Sequence, residues 1–341
     1  MPSGKIDKFD IILAMRIHIL ALDEVFDTGL STILDTLSVA NDLAGANNAF
    51  STHFEITIIG TRRHVRTSQG LSVPVVPATR CAYPDVVLIP ALGAKMPETL
   101  RAALERRDIA DAGELLRQWS DSGVLVGAAC TGTFVLANTL LLNGQSATTS
   151  WWLAPLFREL YPLVTLEESR MVVNSSRFVT AGAALAHIDL ALWLVRRSSP
   201  ALAALTARFL VIEPRPSQAI FAIPDHLAHE DPLVERFEQW ARLRLAAGFS
   251  LSDAASAAGT SERTLSRRLR AVLGKTPLSY FQDLRVERAL HLLRTSSDSV
   301  DLIATQVGYA DGTTLRTLLR RKMGRAVSEL RISADHSGKE C

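Results

Sequence analysis

Residues 251–270, LSDAASAAGTSERTLSRRLR, read as a helix, a tight turn and a second helix. Residues 300–324, VDLIATQVGYADGTTLRTLLRRKMG, repeat the plan. In the first copy Leu251, Ala254, Ala255 and Ala258 recur at helical spacing and make a small apolar face. Gly259 stops that helix, and Ser261 carries the side-chain oxygen needed to cap the next. The next helix buries Leu265 and Leu269, one turn apart, and turns Arg263, Ser266, Arg267 and Arg270 outward. In the second copy Val300, Ile303, Ala304 and Val307 line one helix and Gly308 breaks it. Leu315, Leu318 and Leu319 then face the core, with Arg316, Arg320 and Arg321 outside. A helix-turn-helix lays its second helix in the major groove, where arginine reads guanine edges and Ser or Thr touches base or phosphate. A plain helical bundle with solvated arginines would explain one such copy. Two in tandem, bridged by the apolar and basic helix 277–293, favour DNA binding.

This layout resembles the AraC/XylS family of transcription regulators. The matching runs are A-x-x-A-G-T-S-x-R-T-L-x-R-x-L at 254–269, G-K-T-P-L-x-Y at 274–280, L-R-V-E-R-A-x-x-L-L at 284–293 and I-A-x-x-V-G-Y at 303–309. The resemblance implies that Arg263, Ser266 and Arg267 meet one major-groove segment of double-stranded promoter DNA, with Arg270 also DNA-binding on the outward face of that helix. Thr313, Thr314 and Arg316 would meet the next, about 34 Å along one face of the duplex, with Arg320 holding phosphate. Thr317 stands where many family members carry an arginine. Base readout and phosphate clamping therefore both remain open for the second reading helix.

Charge is distributed accordingly. The 341-residue chain has a net charge of only +2, with 48% hydrophobic and 21% charged residues, a globular composition. From residue 232 to 335 there are 17 Lys/Arg against 11 Asp/Glu, or +6, which leaves −4 for the rest. A basic end on a mildly acidic body suits a protein with separate reading and sensing parts. The three cysteines, Cys81, Cys130 and Cys341, have no C-x-x-C spacing, so neither a disulfide framework nor a metal site is expected, and no cofactor. Asp7, Asp10, Arg16 and His18 break up the apolar runs near the start, so no signal-peptide core forms. No stretch reaches the ~18 apolar residues that span a bilayer. A soluble cytoplasmic protein with no membrane partner is expected.

Ahead of the helical end, strand-like and helix-like segments alternate. Residues 1–10 read as a leader. Strands are expected at 16–22, 54–59, 73–76, 84–90, 124–128 and 177–180. Helices are expected near 31–44, 99–120 (one charged helix or a pair), 133–142, 151–160, 183–197 and 202–211. Continuous apolar runs such as PDVVLIP, residues 84–90, mark strands buried on both faces. The expected fold is therefore an α/β sandwich, a flavodoxin-like parallel sheet between helices, over residues 1–212. Four prolines over 213–232 predict a stiff connector at 213–231. An all-α domain with two helix-turn-helix units follows at 232–335.

The second informative site is Gly127-Ala128-Ala129-Cys130-Thr131-Gly132. A buried strand feeding a helix through small residues makes a sharp elbow and presents its central side chain at the carboxyl end of the sheet, where open α/β sheets bind ligands. Helix-start amides facing that spot predict a lowered thiol pKa for Cys130. The region 124–194 resembles the amidotransferase-like, PfpI-type cysteine fold found in front of AraC-type domains. The matching runs are A-C-T-G-x-F-x-L-A at 129–137, G-x-x-A-T-T-x-W-W at 144–152 and V-T-A-G-x-x-x-A-x-I-D-L-A-L at 179–192. Catalytic members carry histidine where this chain has Thr131 and Ser150. His187 reads as a packed core residue. An acidic residue often contacts the thiol in such folds, and Asp27 is the nearest candidate. The resemblance thus implies a non-catalytic, dimerising domain that senses a small nitrogenous effector in a pocket of Cys130, Thr131, Asp27, Ser150 and Trp151. Trp151 and Trp152 are read either as an aromatic wall for an organic cation or as one core ring and one interface ring. Three other readings stay open: a cysteine hydrolase or amidase, a redox sensor at Cys130, and an architectural DNA binder whose front domain only dimerises.

Overall fold

The computed structural model describes residues 13–46, 50–213, 215–218, 231–323 and 326–331. The expected leader and most of the expected connector, 219–230, lie outside them. The chain forms two compact units. One holds the described residues up to Leu153 and from Tyr161 to Gln218. The other holds Ala154–Leu160 and the described residues from Asp231 onward.

The first unit runs β1 (Leu13–Leu20), α1 (Asp27–Gly45), β2 (Thr52–Gly60), β3 (His64–Arg66), β4 (Ser72–Pro74), β5 (Val76–Pro77), β6 (Val86–Ile89), α2 (Pro97–Leu104) and α3 (Arg107–Asp121). It continues with β7 (Leu125–Ala129), α4 (Gly132–Asn138) and β8 (Ser146–Ala147). The segment α5 (Ala154–Leu160) is grouped with the other unit. Then come β9 (Thr165–Leu166), β10 (Val172–Ser175), β11 (Phe178–Ala181), α6 (Ala186–Ser198) and α7 (Pro200–Phe209). The main sheet has the order β10-β11-β7-β6-β1-β2-β5. Every residue of β6 and β7 is buried, as two-sided coverage of a central parallel strand demands. Alternation sorts β1 by face: Ile17 and Ile19 join the core under α1, α6 and α7, with Ile33, Leu37, Leu190 and Leu194. His18, between them, points the other way, edge-on to Trp119 of α3.

Two features depart from the sequence reading. The sheet is not wholly parallel, because β10 pairs antiparallel with β11 across a tight turn at one edge. The expected connector starts inside the first unit: Gln218 is fully buried, and its Nε2 donates to the carbonyls of Thr149 and Glu168 at 2.8 Å each. A long amide side chain can satisfy several inward carbonyls at once, so this stretch docks despite its prolines.

The second unit is helical: α8 (Pro232–Arg242), α9 (Leu251–Ala257), α10 (Glu262–Leu273), α11 (Pro277–Thr295), α12 (Val300–Gln306), α13 (Gly312–Met323) and α14 (Val327–Arg331). Local chemistry places the boundaries. Asp231, Ser250, Ser261, Thr276 and Ser299 each accept a backbone N–H at the start of α8 to α12 in turn. Two apolar clusters form. One joins α8, α9, α10 and the first half of α11; the other joins the rest of α11 to α12, α13 and α14. Among the described residues no helix is long and apolar enough to cross a membrane.

Candidate DNA interface and elbow site

In the first helix-turn-helix, Leu265, Leu269 and Leu273 anchor α10 in its core, which leaves Arg263, Arg267 and Arg270 exposed and Ser266 half-buried. Ser261 Oγ accepts from Thr264 N at 3.2 Å and fixes the start of the helix. In the second, Leu315, Leu319 and Met323 anchor α13 and expose Thr313, Thr314, Arg316 and Arg320. Two aspartates that the sequence reading did not single out place this helix. Asp311 Oδ1 accepts from Thr314 N at 2.7 Å, and Asp301 Oδ1 accepts from Gly312 N at 2.9 Å. A Cβ on Gly312 would stand 2.5 Å from that Asp301 oxygen, which accounts for glycine at the helix start. The amide of Thr314 also holds the Asp311 carboxyl below the usual carboxylate range. Arg316 leans toward Asp301 at 3.8 Å, and Thr317 Oγ1 turns back to the Thr313 carbonyl at 3.0 Å. Each helix-turn-helix thus presents one helix face of cationic and hydroxyl groups above an apolar face.

Cys130 caps β7 with φ +56°, an uncommon left-handed conformation for a side-chain-bearing residue. Its N–H donates to the Ala181 carbonyl at 2.9 Å, and its own carbonyl accepts from Thr149 Oγ1 at 2.7 Å. Two residues on, a Cβ at Gly132 would lie 2.5 Å from the Ile89 carbonyl oxygen, so the elbow presses against the neighbouring strand. Thr131 Oγ1 donates to the Leu92 carbonyl at 2.9 Å and accepts from Leu92 N at 2.8 Å, locking the elbow to the loop after β6. Cys130 Sγ lies 2.8 Å from Ser150 Oγ.

This geometry changes one expectation. Burial pushes the Cys130 thiol up, and hydrogen bonds with Ser150 and Thr131 offset this only in part. The expected lowering fails because desolvation of a thiolate outweighs the few dipoles aimed at it. Asp27 Oδ2 accepts from Ser68 Oγ at 2.8 Å and Gln69 N at 3.0 Å, holding a surface turn, while its Oδ1 is buried without a hydrogen-bond partner among the described residues. His187 is buried; its Nε2 accepts the Ala91 N–H at 3.0 Å, so Nδ1 carries the proton it donates to the Ala184 carbonyl at 2.6 Å. Burial pushes its pKa down to about 4. Both ring nitrogens are spent on backbone.

Trp151 is half-buried, its ring edge-on to Trp152 with centres 5.5 Å apart. Trp152 Nε1 donates to the Lys95 carbonyl at 3.1 Å, and Lys95 Nζ stands 5.5 Å from the centre of the Phe26 ring. Phe26, Lys95 and Leu92 belong to this neighbourhood, and the sequence reading missed them. They come from loops far from Cys130 in the chain, with no local pattern to connect them.

A family model for DJ-1/PfpI matches residues 15–197, more than half of the chain. The chain belongs to the DJ-1/PfpI family. A helix-turn-helix domain model matches residues 254–332. The HTH-type transcriptional regulator GbdR of Pseudomonas aeruginosa is 25% identical over 297 residues, covering 86% of this chain and 77% of that protein. The HTH-type transcriptional regulator GlxA of Rhizobium meliloti is 26% identical over 223 residues, covering 63% of this chain and 68% of that one. A crystal structure of an AraC family transcriptional regulator from Pseudomonas putida is similar at 18% identity and a TM-score of 0.48, over 57% of this chain and 99% of that one. This DJ-1/PfpI member is thus a DNA-binding transcription regulator that joins a PfpI-like unit to an AraC-type helix-turn-helix region.

Proposed function

We propose that the PfpI-like unit is a non-catalytic sensor of a small nitrogenous metabolite that controls sequence-specific DNA binding by the helical unit in a cytoplasmic homodimer. The sensing and dimerising part is taken as 1–212, the connector as 213–231, of which residues 215–218 pack on the first unit, and the DNA-binding part as 232–335. The observation that carries the non-catalytic reading is the company of the thiol. Cys130 faces the Ser150 hydroxyl, and His187 spends both nitrogens on backbone, so neither of these described residues stands ready as a base to take the thiol proton. The half-buried rings of Phe26, Trp151 and Trp152 suit the apolar body of an organic ammonium compound, and Lys95 supplies a positive charge for a carboxylate on it. On DNA, Arg263, Ser266, Arg267 and Arg270 read one groove segment while Thr313, Thr314, Arg316 and Arg320 engage the next.

A thermal-shift screen of the full-length chain against amino acids, amines and betaines tests the sensor, since a ligand that binds the folded state raises the melting temperature. A hit whose shift disappears in Cys130→Trp supports it. One observation favours a second reading, in which the unit only dimerises: Cys130 is 5% exposed and its neighbours Thr131 and Ser150 are at most 1% exposed, so side chains fill the elbow. A well-folded protein with no hit across the library would favour that reading.

A further inference from the structure

Part-way along, α11 changes from one core to the other. Tyr280, Phe281 and Leu284 lie in the cluster of the first helix-turn-helix, and Val286, Ala289 and Leu293 lie in that of the second. Arg285 sits at the changeover and is 7% exposed. Its Nε donates at 2.9 Å to the carbonyl of Leu245, which belongs to the first cluster. The guanidinium carbon is 4.8 Å from the centre of the Phe281 ring and 5.3 Å from that of Tyr309, in the turn of the second helix-turn-helix. Its far end presses on that turn: a Cβ at Gly308, where φ is +82°, would stand 2.4 Å from Nη2 and 2.4 Å from the Leu245 oxygen. One planar group therefore touches the first helix-turn-helix cluster, the connecting helix and the turn of the second helix-turn-helix.

Among the described residues Arg285 has no carboxylate within ion-pair distance. It rests on two aromatic faces and one carbonyl, and burial draws its pKa down. A buried cation with no counter-charge is a costly way to fill space, and an apolar side chain of similar length would pack there more cheaply. Its geometry is what an apolar side chain cannot copy, because a rigid fork and plane hold three elements at set angles.

We propose that Arg285 is a positioning residue that fixes the register between the reading helices α10 and α13 and thereby sets the spacing between the two DNA segments the protein accepts. This rests on the reading above that both helices enter the duplex. A second tie on the same helix points the same way: Asp283 bridges Lys275, just after α10, at 3.0 Å and Lys322 of α13. That bridge is partly exposed and weakens with salt, whereas the contacts of Arg285 are shielded.

The test uses the full-length protein and a duplex selected from random sequence by the wild type, with one or two base pairs then inserted between the two protected segments. Each insertion shifts one segment by about 3.4 Å and rotates it about the axis. The wild type is expected to lose about tenfold or more in affinity per insertion, the size of a base-pair mismatch penalty. Arg285→Met is expected to lose less than about threefold on insertion while its thermal midpoint stays at or above that of the wild type. Arg285→Lys keeps the charge without the fork and should fall between them, and it carries the comparison if Arg285→Met does not fold. A variant that keeps the full insertion penalty with an unchanged midpoint overturns the proposal and leaves the two-helix reading standing. A wild-type footprint confined to one segment, or no insertion penalty in the wild type, overturns both.

Discussion

Cys130 Sγ and Ser150 Oγ lie 2.8 Å apart in the closed elbow above β7. A hydroxyl can share a hydrogen bond with the thiol but cannot take its proton at neutral pH. Burial, against the pull of this hydrogen bond, therefore keeps the thiol in its protonated form.

This relationship is measurable by alkylation. Cys81 is half-buried and Cys130 is buried, so iodoacetamide should modify Cys81 first in the native protein. The Ser150 hydrogen bond favours the thiolate, so Ser150→Ala should raise the thiol pKa further and slow Cys130 labelling about fivefold at a given pH. Mass spectrometry of timed samples reads both rates. Cys130 labelling ahead of Cys81 at neutral pH would sink the inert-thiol account.

The elbow should tolerate no added carbon at Gly132. A Cβ there meets the Ile89 oxygen at 2.5 Å and the Pro90 oxygen at 2.7 Å, and both belong to the backbone. Gly132→Ala should cost roughly 1–3 kcal/mol, the usual penalty for overpacking, by urea unfolding of the first unit. A cost indistinguishable from zero would mean that the strand end yields freely.

His187 predicts an acid limb of stability. Its folded pKa is about 4, below the ordinary value of 6.5, so the unfolded chain binds its proton first as pH falls. Nothing is lost above about 6.5. Stability then declines down to about 4, by about 3 kcal/mol in all, and this contribution is flat below. His187→Gln should flatten that segment of the stability curve relative to the wild type. Parallel curves from pH 6.5 to 4 would show that this histidine is not the group responsible.

Base reading by α10 is tested at Arg267, which is exposed beside Arg263 and Arg270. Arg267→Ala should cost ~1–3 kcal/mol on the selected duplex and relax the sequence preference at one position. Equal weakening on selected and random duplexes would assign this arginine to phosphate alone.

The second unit was legible nearly residue by residue, because its signals are local. Ser261, Gly259 and Gly308 announce helix boundaries through caps and left-handed turns, and the spacing of Leu265, Leu269, Leu315 and Leu319 marks the buried face within one or two turns. The central strands β6 and β7 were equally plain, since a strand covered on both faces has no polar side to interrupt the run. The antiparallel edge at β10 was not legible, because Val172–Ser175 is short and carries mixed polarity.

At the elbow the sequence by itself determined the strand-to-helix turn, the cysteine at its apex and the absence of histidine at positions 131 and 150, all within a few residues of one another. Only the tertiary structure decided the protonation of that cysteine and the neighbours it meets. The thiol pKa depends on how completely water is excluded by loops distant in the chain. Asp27 turned to Ser68, Lys95 reached Phe26, and Gln218 folded back under Thr149 through contacts that no local period encodes. The same division holds at Arg285. Its place on an apolar helix was readable, whereas its burial between Leu245, Phe281 and Tyr309 is a property of two cores meeting on one helix.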